Sequence, residues 1–190
     1  MLHELDKKMS EFKTVQSSRI TISQLMLPSH TNFSGKIHGG YLLSLLDQIA
    51  FACASKYSGN YCVTASVDTV NFLNPIEVGE LVTLKASVNY VGKSSMIVGI
   101  RVEAENIQTG KVKHCNSSYF TMVAKDDDGK NTKVPGLILS NYEEIRRFYN
   151  CVKQIASKKE QDLHEEIFDY KSDDAILGLS NYNVKLEISK

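Results

Sequence analysis

Asp47 is the first residue that asks for a chemical explanation. It lies in residues 41–54, where Ser44, Asp47 and Gln48 are the clearly polar side chains. Burying an unpaired carboxylate is costly, so Asp47 must be paired, hydrogen-bonded, protonated or in use as a base or nucleophile. The run opens on Gly39-Gly40, a pair suited to backbone that turns freely or approaches something closely. At a helix start, free N–H groups and the positive end of the dipole would meet at those glycines and suit an oxygen that becomes negative. The plainer account is that they make the turn and let the helix pack, and both can hold together. Cys53, Cys62, Cys115 and Cys151 show no C-x-x-C pairing and no metal-type Cys/His spacing, so no metal site is expected.

The elements that must position these residues follow from periodicity. Residues 41–54 are too long for a usual strand and rich in Leu and Ala, so they form a helix apolar on nearly every face, and therefore a buried one. Before it, residues 19–25 alternate as a half-buried strand, and Pro28 ends it. After it come strands over residues 61–72, 81–91, 95–105 and 112–124, joined by short turns at Gly92-Lys93 and Thr109-Gly110. In the first of these, Val63, Ala65, Val67 and Thr69 fall on one face. One strand, a long helix and a run of strands make an α+β domain whose antiparallel sheet curls around the helix. The sheet covers one side only, and dimerisation is the natural cover for the other.

Residues 1–18 lack periodicity and are expected to be a loosely held leader, with the main domain over 19–136 and a C-terminal helix and tail over 137–190. In that tail Ser140 and Glu143 fit a capping box. Ile145, Phe148, Tyr149, Val152, Ile155 and Ala156 then form an apolar stripe on a helix running to Glu160 or Phe168, and residues 183–189 could add a short strand. With 22 basic and 22 acidic residues, no global field draws nucleic acid or an anionic membrane. Apolar runs fall short of a membrane span, and unpaired cysteines with a polar N-terminus point to a cytoplasmic, soluble protein.

Three stretches in order, N-F-S-G-K-I-H-G-G-Y-L-L-S-L-L-D, V-T-A-S-V-D-T-V-N-F-L-N-P-I-E-V-G-E and Y-V-G-K-S-S-M, resemble hotdog-fold acyl-CoA thioesterases of the YciA-like and cytosolic acyl-CoA hydrolase group. The resemblance covers residues 19–124 and leaves the tail outside. It implies a hotdog fold, hydrolysis of fatty acyl-CoA to free acid and CoA, no cofactor beyond the CoA of the substrate, and dimers that often assemble to hexamers. It also implies that Asn32 and Asp47 are the catalytic pair. His38 departs from the group, which more often has Phe there.

On that footing Asp47 serves as base or nucleophile, and the Gly39 N–H, with Gly40 nearby, receives the oxyanion. Asn32 can hold a water or the thioester carbonyl without titrating. His38 either polarises the carbonyl or caps the helix. Thr64 and Ser66 line the pantetheine path by the same resemblance, and Gly92, Lys93, Ser94 and Ser95 form either a phosphate cradle or an ordinary hairpin turn. Arg146 and Arg147 read as a solvated helix face rather than a nucleotide contact. Eight residues separate Gly39 from Asp47, about 12 Å along a helix, too far for one carbonyl to meet both. A site using both takes Gly39 and Asn32 from one protomer and Asp47 from its partner. The competing reading is an acyl-CoA-binding regulatory module without catalysis, which would lack a working Asn/Asp pair. A hydratase would want a D-x-N-x-x-H arrangement, which the chain does not contain.

Overall fold

His38 and Gly59 bracket the helix on which the other elements pack. Gly59 ends it at φ 75°, a left-handed position that suits glycine. The structure is a computed structural model that describes residues 12–68, 70–167, 171–179 and 184. Residues 1–11, Thr69, Phe168 and all but residue 184 of the 183–189 segment fall outside the described residues. Two compact units divide the chain, Met1–Cys151 and Val152–Lys190.

In the first unit β1 (Phe12–Thr14), the one-turn α1 (Val15–Ser18) and β2 (Ile20–Leu25) precede the long helix α2 (Gly39–Ser58). Then come β3 (Tyr61–Val67), β4 (Asn71–Phe72), β5 (Glu80–Val91), β6 (Ser95–Asn106), β7 (Lys111–Lys125) and β8 (Gly136–Ile138). The main sheet is antiparallel in the order β2-β5-β6-β7-β3, with β4 also on β7. This is the expected hotdog arrangement, a sheet wrapped on a central helix. Leu42, Leu46, Ile49, Ala50, Cys53 and Tyr57 are buried along α2, in one core with Val82, Leu84, Val98, Phe120 and Met122 from the sheet. Each large apolar side chain buried this way contributes roughly 2 kcal/mol.

The other side of α2 is open in the single chain. Asp47 is exposed there, between Leu43 at 38% and Phe51 at 39% exposure. The expected burial of Asp47 is thus corrected at the level of one protomer. The helix is apolar all round, but the sheet reaches only one of its faces.

Three further expectations change. The strand placed over residues 61–72 is two strands. A bulge between Thr64 and Ser66 breaks its alternation, so Val63 and Val67, expected on one face, pair with Val123 and Phe120 on opposite faces. The expected leader is held from Phe12 onward. Val15 is buried, the Ser18 hydroxyl accepts from the Val88 N–H at 2.9 Å, and β1 pairs in parallel with β8. Tyr57 Oη donates to the Gly136 carbonyl at 2.6 Å, tying that pair to the end of α2. Elements of three and four residues are too short to show periodicity. The third change concerns α3 (Tyr142–Ile167), which crosses the boundary between units. Its first turn is closed by Asn141, whose side chain accepts from the Glu144 N–H at 3.0 Å, while Glu144 accepts from the Ser140 N–H at 2.8 Å. The expected Ser140/Glu143 box is thus replaced by an Asn141 cap with Glu144 reaching back to the Ser140 N–H. Within the first unit the inward residues of α3 are Glu144, Phe148 and Cys151, whereas Ile145 and Tyr149 are exposed. The second unit holds the rest of α3 and α4 (Asp173–Gly178). Among the described residues no helix is long and apolar enough to cross a membrane.

Burial pushes the Cys53 thiol and the Tyr57 phenol each up to about 12. Both keep their protons in the folded state after the unfolded chain has lost them, so stability is full below about pH 9 and falls as pH rises toward 12. The urea midpoint should decline over that window, and less steeply in Cys53→Ala. A slope unchanged by that substitution would remove the thiol from the account.

Candidate functional site

The loop entering α2 is built by one side chain. Asn32 Oδ1 accepts from the Ser34 N–H at 2.9 Å, the Ser34 hydroxyl at 2.7 Å and the Lys36 N–H at 3.2 Å, and Gly35 takes φ 78° to complete the turn. Lys36 pairs with Glu77 at 2.6 Å, and the Ile37 N–H donates to the Ile76 carbonyl at 3.0 Å, fixing the loop to the segment before β5. Because Oδ1 is committed, the Asn32 amide can act outward only as a donor through Nδ2. Phe33, beside it, is fully exposed.

The helix start separates the two glycines. His38 Nδ1 accepts from the Gly40 N–H at 2.9 Å, so His38 caps α2. The Gly39 N–H has no acceptor among the described residues and stays available at the positive end of the helix. A Cβ at Gly39 would stand 3.4 Å from the Phe72 ring, so that face of the backbone lies against an aromatic plate. Neither Phe33, in a turn-rich stretch, nor Phe72, at the end of the expected 61–72 strand, carries a sequence signal that marks it for the site.

Asp47 and Thr64 meet on the open side of α2. Thr64 Oγ1 donates to Asp47 Oδ1 at 2.6 Å and so joins the helix to β3. The two are seventeen positions apart, and only the fold shows the contact; the sequence places Thr64 along a substrate path instead. The bulge separates Thr64 from Ser66. Thr64 is paired with buried Met122, whereas Ser66 is paired with Thr121 on the other face of the sheet. The turn at Gly92, Lys93, Ser94 and Ser95 is a hairpin closed by the Gly92 N–H on the Ser95 carbonyl at 2.8 Å. Its Lys93 and Ser94 carbonyls are taken by the Val134 and Ala124 N–H groups.

One chain therefore sorts the candidates into two groups. Asn32, His38, Gly39 and Gly40 lie at the start of α2, with Phe72, whose partner on β7 is Asn116. Asp47, Thr64 and the hairpin lie toward the other end, where Thr64 pairs with Met122 and Ser95 with Val123. The six residue steps of strand from Asn116 to Met122 amount to about 20 Å. Chemically, the first group offers hydrogen-bond donors and the second an exposed carboxylate fixed by a hydroxyl.

Comparison with known proteins gives this arrangement a context. The model of the Thioesterase superfamily matches residues 34–111. Protein VdlD of Helicobacter pylori is 44% identical over 141 residues, covering 74% of this chain and 80% of that protein. The uncharacterized acyl-CoA thioester hydrolase YkhA of Bacillus subtilis is 35% identical over 156 residues, covering 82% and 87%. Among solved structures, an apo-hexameric acyl-CoA thioesterase matches with TM-score 0.77 at 34% identity, covering 80% of this chain and 97% of that one. The acyl-CoA hydrolase of Staphylococcus aureus, solved with butyryl-CoA, CoA and CoA disulfide, matches with TM-score 0.75 at 31% identity, covering 82% and 94%. Its solved variants replace an asparagine, an aspartate and a threonine by alanine.

A capping role for His38 has a stability signature. His38→Ala should cost about 1 kcal/mol in urea unfolding, and His38→Asn should restore most of it, as Asn is a good cap. Equal losses for both would detach the imidazole from the helix start.

Proposed function

Since the chain belongs to the Thioesterase superfamily, we propose that it is an acyl-CoA thioester hydrolase in which Asp47, held by Thr64, starts the attack on the thioester. The carrying observation is the 2.6 Å hydrogen bond from Thr64 to Asp47 on the open face of α2. In the S. aureus enzyme the substituted asparagine, aspartate and threonine are spaced by fifteen and then seventeen residues. Asn32, Asp47 and Thr64 repeat both intervals.

Thr64 occupies one carboxylate oxygen and leaves the other toward the substrate. Asp47 takes a proton from water as the water oxygen bonds to the carbonyl carbon. The carbonyl oxygen becomes negative and is received by the Gly39 N–H and Asn32 Nδ2. Collapse breaks the C–S bond, and the CoA sulfur takes the proton held by Asp47. The products are a free acid and CoA.

The donors belong to a different protomer from the carboxylate. Within one straight helix Gly39 and Asp47 stand about 12 Å apart, whereas reacting groups need to be about 3 Å from the carbonyl. Two antiparallel copies of α2 across a two-fold axis bring the start of one to the middle of the other. Exposed Leu43, Phe51, Tyr61, Val67 and Phe72 supply apolar surface for that interface. Further assembly of dimers to a hexamer and a cytoplasmic location complete the proposal, supported by the hexameric thioesterase neighbour and by a reduced, neutral composition.

CoA release from acyl-CoA, followed with a thiol reagent, tests the assignment. Asp47→Ala should lose at least about a hundredfold in kcat while staying folded. Thr64→Val should lose about ten- to a hundredfold, because the carboxylate is no longer aimed. Turnover near the wild-type value in Asp47→Ala would return Asp47 to a structural role.

A further inference from the structure

A groove of about 440 Å³ lies on the outer face of the sheet, opposite the face that carries α2, between β5, β6, β7 and the first two turns of α3. All its lining residues belong to the first unit. The catalytic proposal uses none of them.

Its charge is uneven in a specific way. Arg146 and Arg147 both bind Glu143, at 2.6 and 3.0 Å, and Lys85 and Arg101 both bind Glu103, at 2.6 and 2.7 Å. Each carboxylate balances one of its two cations, so each cluster keeps one positive charge in excess. Two such clusters flank the groove of a protein whose total charge is zero.

The floor between them is shaped by two breaks in the sheet. The β5–β6 register skips between Val88 and Tyr90, which leaves Asn89 at a bulge, and bulges re-aim side chains. Asn89 is 5% exposed, its Oδ1 accepts from the Ser87 hydroxyl at 3.0 Å, and its Nδ2 has no hydrogen-bond partner among the described residues. Gly99 faces it across the strands, in the middle of β6, where a Cβ would collide with Asn89 Nδ2 and crowd Tyr119. Glycine inside a strand weakens it and often marks a place that something else approaches closely. An unpaired amide donor, carried by a largely buried side chain and open to the groove over a missing side chain, between two excess cations, is a built receptor for an acceptor-bearing anion.

We propose that this groove is a second ligand site, taking an organic phosphate or pyrophosphate ester of about two negative charges. The phosphate oxygens meet the Lys85/Arg101 and Arg146/Arg147 clusters, and an acceptor on the organic part meets Asn89 Nδ2. The volume lies within the range of pockets for small organic ligands and exceeds what a bare phosphate fills. The site is independent of the thioester assignment and stands on the opposite face of the sheet.

Calorimetric titration of the full chain with ADP, as a probe nucleoside diphosphate, tests it. Binding should occur at sub-millimolar ADP and weaken as salt is raised from about 0.05 to about 0.5 M. Affinity should fall at least about tenfold both in the Arg101→Gln/Arg146→Gln double variant and in Asn89→Asp, which keeps the shape but reverses the polar group. Asp47→Ala should bind ADP as the wild type does. Absence of binding at millimolar ADP, unchanged affinity in Asn89→Asp with the fold intact, or loss in Asp47→Ala would overturn the proposal. Inorganic pyrophosphate binding as tightly as ADP would overturn its organic part.

Discussion

The rest of the structure depends on one constraint: a twenty-residue helix that is apolar on nearly every face is covered by its own sheet on one face only. The covered face joins the core with strands β5, β6 and β7. The remaining face holds Leu43, Asp47 and Phe51 at successive turns, with exposed Tyr61, Val67 and Phe72 on the strands beside it. In the proposed dimer a second copy covers that band, and the carboxylate in its middle becomes a buried one. The expense of burying Asp47 is therefore a property of the proposed assembly, while the single chain carries the group in water, already held by Thr64.

That division shapes the chemistry. The chain spends the Asn32 side-chain oxygen Oδ1 and the Gly40 N–H on its own local structure, through three bonds in the entry loop and the His38 cap. What it leaves unspent at the start of α2 is the Asn32 Nδ2 and the Gly39 N–H, both donors. At the middle of the same helix it leaves one carboxylate oxygen. In the proposed mechanism these donors and this acceptor serve a carbonyl and its attacking water, yet within one chain they stand too far apart to serve one together. The fold answers this by symmetry in the proposed dimer, which brings unlike ends of two identical helices to a single point.

Periodicity and motif spacing carried the long elements. Residues 41–54 announced a buried helix, and β5, β6 and β7 lie within about one residue of the expected ranges. What the sequence concealed was short or tertiary. Val15 and Ser18 sit in a one-turn helix that no period can reveal, yet they enter the core. Ser140 and Asn141 are both good caps with an acid three residues on, and the burial of Glu144 goes with Asn141 as the residue that caps. On α3 the apolar stripe suggested an inward Ile145 and Tyr149, whereas Phe148 packs on Tyr90 and the other two face outward. The Thr64 to Asp47 bond and the bulges beside Thr64 and at Asn89 depend on how strands pair, which no local pattern encodes.

Subunit mixing addresses the central claim most directly. Asn32→Ala and Asp47→Ala, each inactive alone, are unfolded and refolded together so that mixed dimers form. A mixed dimer places both lesions in one site and assembles the other from the intact Asn32 of one chain and the intact Asp47 of its partner. With random pairing about half of the dimers are mixed and each has one good site, so the account predicts roughly a quarter of wild-type CoA release. No recovery, with mixed dimers present by native mass spectrometry, would contradict a site shared between protomers.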